Sequence, residues 1–205
     1  MMMLNLLRPA LGRVLTPVGR AVARTGVTPN TITVVGTAGV VVGALGWYPR
    51  GELFWGTVII TAFVLFDMLD GAVARVTGKI SKWGAFLDSS MDRVADSAIF
   101  SGLILWLADG GHNLPLAGVA LFCLVAGALV SYVKARAEGV GYTCNVGIAE
   151  RGERLIVALV AAGLDGLGVP YALNVGLWLL AVASAITVVQ RLLAVRRQAL
   201  AEVGS

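Results

Sequence analysis

Five carboxylates, Asp67, Asp70, Asp88, Asp92 and Asp96, stand in the otherwise apolar stretch from 66 to 100, FDMLDGAVARVTGKISKWGAFLDSSMDRVADSAIF. An Asp near the centre of a membrane helix costs about 2.5 to 3.5 kcal/mol, so four would cost roughly 10 to 14 kcal/mol unless something offsets it. A bound divalent cation does so. Asp67 and Asp70 are spaced i, i+3 and Asp88 and Asp92 i, i+4, so each pair is expected to point from one face of its own helix. Two such helices side by side make a four-carboxylate cage. Hard oxygen ligands suit magnesium or manganese, and carboxylates shared between two ions suit displacement at phosphorus. Gly71 follows the second carboxylate and Gly84 precedes Asp88 by one turn, which leaves room for a ligand against bare backbone. A buried set of ion pairs is the bland alternative, but only Arg75 and Arg93 lie close in sequence, too few cations for these acids.

The helices that position these acids are membrane helices. With 58% hydrophobic and 14% charged residues over 205 positions, the chain reads as an all-α integral membrane protein. Continuous apolar runs fall near 30 to 48, 53 to 74, 84 to 107, 115 to 137, 152 to 168 and 171 to 193. Each approaches the ~20 residues a spanning helix needs, and none shows the period-two alternation of a barrel strand. Six spans are therefore expected. Arg8, Arg13, Arg20, Arg24, Lys79, Lys82, Lys134, Arg136, Arg151, Arg154, Arg191, Arg196 and Arg197 fall on one side of these spans, whereas the opposite loops carry only Arg50. That asymmetry predicts cytoplasmic termini and an acid cluster open to the cytoplasm.

The spacing Asp67-x-x-Asp70-Gly71-x-x-Ala74-Arg75, eight residues, then Gly84-x-x-x-Asp88-x-x-x-Asp92 resembles the complete signature of the CDP-alcohol phosphatidyltransferases. The resemblance implies that CDP-diacylglycerol lies with its acyl chains in the lipid bilayer and its pyrophosphate on two Mg2+ or Mn2+ ions held by Asp67, Asp70, Asp88 and Asp92. It also implies that Asp92 accepts a proton from the attacking hydroxyl; the sequence alone allows Asp88 equally. CDP-diacylglycerol contacts are expected from Gly71, Ala74, Arg75 and Gly84 of the motif, from Ser81 in the loop before it, and from the polar segment Asn30, Thr31, Ile32 and Thr33. A helix cap is the alternative for that segment, and Lys79 and Lys82 also serve as topology markers.

Four cations gather around Ser131-Tyr132-Val133-Lys134-Ala135-Arg136 and Glu150-Arg151-Gly152-Glu153-Arg154. Flanking charge explains them blandly. Ser131, Lys134, Arg136, Arg151 and Arg154 would equally hold a second, anionic substrate. Within the family these two stretches are most similar to actinobacterial members whose acceptor is inositol phosphate, 1D-myo-inositol 3-phosphate. Glycerol 3-phosphate, the acceptor of phosphatidylglycerophosphate synthases, is the alternative the Asp spacing does not separate. Outside the enzymes, a cation transporter also holds intramembrane acids, but usually with repeats or helices broken at the midplane.

Residues 1 to 28 read as an interfacial amphipathic segment, with Leu11, Val14, Leu15, Val18 and Val22 on one side and Arg13, Arg20 and Arg24 on another. The six-helix catalytic domain is expected over 29 to 197, followed by a cytoplasmic tail over 198 to 205. Gly36, Gly39, Gly43 and Gly46 form a small-residue face read as packing. The family resemblance implies a homodimer in the cell membrane. Asp96, outside the motif, is expected to contact helices or ligand carboxylates. Cys123 and Cys144 have no disulfide or metal-site pattern, and the single His112 falls in an outer loop. The basic balance follows from topology, so no nucleic-acid partner is expected.

Overall fold

The computed structural model describes residues 17–24 and 26–203. Among these the chain is helical throughout and contains no strand. A short helix over 17–24 (α1) is followed by α2 (Pro29–Trp47), a 3-10 turn (Tyr48–Arg50), α3 (Leu53–Asp67), α4 (Leu69–Thr77), α5 (Lys82–Ala108), α6 (Leu114–Gly139), α7 (Arg151–Gly166) and α8 (Ala172–Val203).

Side-chain caps fix where these helices begin. The Thr28 hydroxyl accepts from the Thr31 amide and Pro29 opens α2, the arrangement its sequence predicts. Ser81 accepts from Gly84 N at 3.0 Å to start α5, and Asn113 accepts from Leu116 N at 3.2 Å to start α6. A reciprocal pair, Glu150 and Glu153, starts α7.

Among the described residues, four stretches are long and apolar enough to cross a membrane: Pro29–Arg50, Leu53–Thr77, Leu114–Gly139 and Ala172–Glu202. Their outward faces stay apolar, with Val42, Phe122, Val125 and Leu179 about half exposed or more, a surface suited to lipid rather than water. Helices α5 and α7 fall outside that measure because they carry the charged groups of the site, and α7 has 16 residues, about 24 Å of helix. Both pack inside the bundle: α5 against α2 and α6, α7 against α3 and α8. The core they share runs through Val40, Ala44, Ile60, Ile99, Leu103 and Leu177.

Three details of the helices bear on these expectations. The expected span from 53 to 74 is broken at Met68, so Asp67 ends α3 while Asp70 lies in the first turn of α4. The two acids thus do not project from one continuous helix. The stretch expected as a tail from 198 continues α8 to Val203. Of the interfacial segment, residues 17–24 are helical and lie on α4, where a Cβ on Gly19 would stand 3.0 Å from Ala72 Cβ; Leu11, Arg13, Val14, Leu15 and Thr16 lie outside the described residues.

Candidate active site

The break at Met68 and one turn of α5 bring three carboxylates together. One oxygen from each of Asp67, Asp88 and Asp92 lies within 4.8 Å of the other two. Asp67 Oδ1 is buried and has no hydrogen-bond partner. A buried carboxylate oxygen left without a donor beside two further carboxylates fits a divalent cation, which supplies the missing positive charge. Gly36 of α2 allows the approach: a Cβ there would stand 3.0 Å from Asp67 Cβ and 3.1 Å from its Oδ1. The small-residue face of α2 therefore positions a candidate ligand as well as packing helices.

Asp70 stands apart from this trio. Its Oδ2 accepts from Thr33 Oγ1 at 2.6 Å, and its Oδ1 accepts from the Gly71 amide. The Thr33 hydroxyl also lies 3.2 Å from Pro29 O, but it has one proton to give, and the shorter approach to a carboxylate takes it.

A cavity of about 300 Å³ opens beside Asp70 and Asp88. Seven of the residues expected to contact CDP-diacylglycerol line it: Asn30, Thr33, Gly71, Ala74, Arg75, Ser81 and Gly84. Gly71 keeps the floor open for Arg75, whose Nη1 would stand 3.4 Å from a Cβ at that position. Lys79 and Ile80 complete the rim. Two expected contacts are turned elsewhere. Ile32 is buried in a small apolar cluster with Leu69 and Val73, and Thr31 is exposed, its hydroxyl 2.9 Å from that of Thr28. Both positions follow from helix geometry, since consecutive residues cannot share one face.

A second cavity, about 360 Å³, opens on the Asp92 side between α5, α6, α7 and α8. Five cations line it, Arg93, Lys134, Arg151, Arg154 and Arg191, against the carboxylates of Asp92, Glu138 and Glu150. Ser131 lies on its wall, as expected. Arg136 does not: it is exposed, two positions along α6 from Lys134 and therefore on another face. Arg154 is 4% exposed. Its Nη1 donates to Ala149 O at 2.9 Å, its Nη2 lies 3.8 Å from Asp96 Oδ2, and Gly127 makes the space, since a Cβ there would stand 3.2 Å from Arg154 Nε.

Asp96 joins this group. It faces Arg151 Nε at 3.3 Å, Arg93 Nη2 at 3.5 Å and Arg154, and so holds three guanidiniums along the cavity wall. Arg151 also reaches Asp92, its Nη1 2.7 Å from Asp92 Oδ1. The cations these acids lack nearby in sequence come from α7, which brings Arg151 and Arg154 to Asp92 and Asp96. From sequence, Arg191 served only as a topology marker. In the structure Arg191 is buried, its Nε donating to Val146 O at 2.9 Å and its Nη1 to Val130 O. A lone arginine within the apolar run from 171 to 193 was the available signal.

The arrangement is a carboxylate centre between two cavities, one lined by backbone-rich motif residues and one by cations. The family model for CDP-alcohol phosphatidyltransferase matches residues 26–189. The phosphatidylinositol phosphate synthase of Streptomyces avermitilis is 53% identical over 193 residues, covering 91% of this chain and 79% of that protein. Two crystal structures of the phosphatidylinositol phosphate synthase of Mycobacterium tuberculosis superpose on the chain at 48% identity. The one with CDP-DAG bound has a TM-score of 0.85 and covers 89% of this chain and 94% of that one. The one in complex with manganese and citrate has a TM-score of 0.85 and covers 88% of each. On the motif, the matched length and these relatives, the chain belongs to the CDP-alcohol phosphatidyltransferase family.

Proposed function

We propose that this protein transfers the phosphatidyl group of CDP-diacylglycerol to inositol phosphate, giving phosphatidylinositol phosphate and CMP. The observation that carries the reading is the placement of Asp88 and Asp92. They stand one turn apart on α5, Asp88 on the wall of the first cavity and Asp92 on the wall of the cationic one, with Asp67 between. A donor in the first cavity and an anionic acceptor in the second would meet there. The names of the relatives support the same pair of substrates.

Asp67, Asp88 and Asp92, with Asp70 beside them, would hold Mg2+ or Mn2+, two ions per site. Bound there, the ions neutralise pyrophosphate charge and make the phosphorus more electrophilic. Asn30, Arg75, Ser81 and the backbone at Gly71 and Gly84 bind the CDP end. Lys134, Arg154 and Arg191 bind the acceptor phosphate and turn an inositol hydroxyl toward Asp92. Asp92 takes the hydroxyl proton as its oxygen bonds to the phosphorus that carries diacylglycerol. The phosphoanhydride bond to CMP breaks, and CMP leaves with the electron pair. This is one displacement without a covalent enzyme intermediate.

The same reading gives α2, α3 with α4, α5, α6, α7 and α8 as six spans over 29 to 197, residues 1 to 28 as an interfacial segment and 198 to 205 as a cytoplasmic end. The cationic side faces the cytoplasm of a cell-membrane protein, by the asymmetry of basic residues. A homodimer is part of the proposal, and crosslinking in native membranes tests it.

The assay is CMP release by purified protein with CDP-diacylglycerol and magnesium, offered inositol phosphate, inositol, glycerol 3-phosphate or serine. Turnover with inositol phosphate alone is the expected result. Turnover with glycerol 3-phosphate instead overturns the acceptor, and no CMP release with any of them overturns the transferase.

A further inference from the structure

The connection from α6 to α7, residues 140–150, has no regular structure, so its backbone groups need partners from elsewhere. The amides of Val140, Gly141 and Tyr142 pair with carbonyls at the end of α6, and beyond them the partners come from one stripe of α8. Thr187 Oγ1 accepts from Ile148 N at 3.2 Å and Ala149 N at 3.0 Å while donating to Ala183 O, which uses its full hydrogen-bonding capacity. Gly147, at φ +134°, passes so close to Thr187 that a side chain there would collide with the threonine methyl. Arg191 holds Val146 O. Further along, Gln198 Oε1 accepts from Thr143 N at 3.0 Å and Thr143 Oγ1 at 3.1 Å, and Gln198 Nε2 donates to Thr143 O at 2.7 Å. Tyr142 donates to Glu202 Oε2 at 2.8 Å. Positions 187, 191, 198 and 202 lie within about 60° of one another around the helix, so one face of α8 makes every rung.

This strap ends where the cationic cavity begins. Glu150 caps α7, Arg151 is its first helical residue, and Arg154 grips the strap's last carbonyl, that of Ala149. Thr187 and Arg191 are buried in the bundle or in the cavity wall, whereas Gln198 lines neither the cavity nor the core. Together with the Tyr142–Glu202 bond it makes the strap's outer attachment, through three contacts with a single residue.

We propose that Gln198 is a positioning residue for the acceptor. By fastening Thr143 to α8 it fixes the strap and, through Ala149, the setting of Arg154 toward the acceptor's phosphate. The inference rests on the reading that the cationic cavity takes that phosphate.

The test compares Gln198→Ala, Gln198→Glu and Arg154→Gln, measuring KM for inositol phosphate, KM for CDP-diacylglycerol, Mn2+ affinity, and amide exchange over residues 142–149. Gln198→Ala is expected to raise the acceptor KM about fivefold, the worth of one such hydrogen bond, and to speed exchange over the strap. The donor KM and Mn2+ affinity stay unchanged. Gln198→Glu keeps the oxygen that accepts from Thr143 but sets a second acceptor where the amide donates to Thr143 O, so it recovers only part of the loss. An unchanged acceptor KM in Gln198→Ala, or a fall in kcat alone, overturns the positioning role when Arg154→Gln does raise that KM. If Arg154→Gln also leaves the acceptor KM unchanged, the cavity reading itself fails and the proposal falls with it.

Discussion

Arg151 Nη1 stands 2.7 Å from Asp92 Oδ1, so a cation from α7 occupies one oxygen of a carboxylate whose neighbours on the other side are Asp67 and Asp88. The same guanidinium is braced by Asp96 through Nε. Asp92 is therefore shared between a cation-binding trio and an arginine of the cationic cavity. A divalent cation held by the trio would share this carboxylate with the guanidinium, and two positive charges on one carboxylate oppose each other.

Arg151→Gln should consequently tighten divalent-cation binding while weakening catalysis. We expect the Mn2+ dissociation constant to fall by about threefold or more, read by electron paramagnetic resonance titration, and CMP release to fall at the same time. Weaker Mn2+ binding in the variant would mean that Arg151 supports the cation site rather than competing with it.

Gly36 gives a second test of the centre, on geometry instead of charge. A Cβ at 36 would press on Asp67 Cβ at 3.0 Å and on its Cα at 3.2 Å. Because Asp67 ends α3, the backbone there must move by tenths of an ångström to make room. Gly36→Ala is expected to weaken Mn2+ binding about tenfold. Gly118→Ala, where nothing lies within 4 Å, is the control and should leave binding unchanged.

These two residues show what the sequence made legible. The spacing of the acids put Asp88 and Asp92 one turn apart on α5, because spacing on a helix is a local property, whereas Asp67 joins them and Asp70 stands apart through the way α3 and α4 are set in the fold. Most expected donor contacts line one cavity, although they come from α2, α4 and the start of α5. Ile32 and Arg136 were misplaced where one polar or basic segment was read whole, although neighbours at i+1 or i+2 on a helix face different ways. The roles of Gly36, Arg191 and Asp96 depend on which helix packs against which. Arg151 meets Asp96 across 55 positions, and nothing in either local sequence announces the pairing.

Thr33 belongs to the cavity proposed for the donor. Its hydroxyl donates to Asp70 at 2.6 Å, and Asp70 lines only the donor cavity. Thr33→Val keeps the shape and removes that bond, so Asp70 loses its orientation. A hydrogen bond to a charged group contributes roughly 1.5 to 3 kcal/mol, and we expect kcat/KM for CDP-diacylglycerol to drop at least about tenfold. The KM for the acceptor should not change; a rise confined to the acceptor KM would contradict the division into two cavities.

Lys134 and Arg191 line the same cavity but stand differently in the fold. Lys134 is partly exposed, with Glu138 at 3.9 Å as its ion-pair partner, so Lys134→Gln removes a charge and little else. Arg191 is 3% exposed and its guanidinium joins Val146 O to Val130 O, holding the strap to α6 as well as charging the cavity. Lysine cannot span two carbonyls with one ammonium as a planar fork does. Lys134→Gln is therefore expected to raise the acceptor KM without altering thermal stability. Arg191→Lys keeps the charge, yet should both raise the acceptor KM and lower the melting temperature in detergent, since it leaves a buried carbonyl unpaired at about 1 to 3 kcal/mol. Equal melting temperatures for the two variants would show that Arg191 serves only as charge.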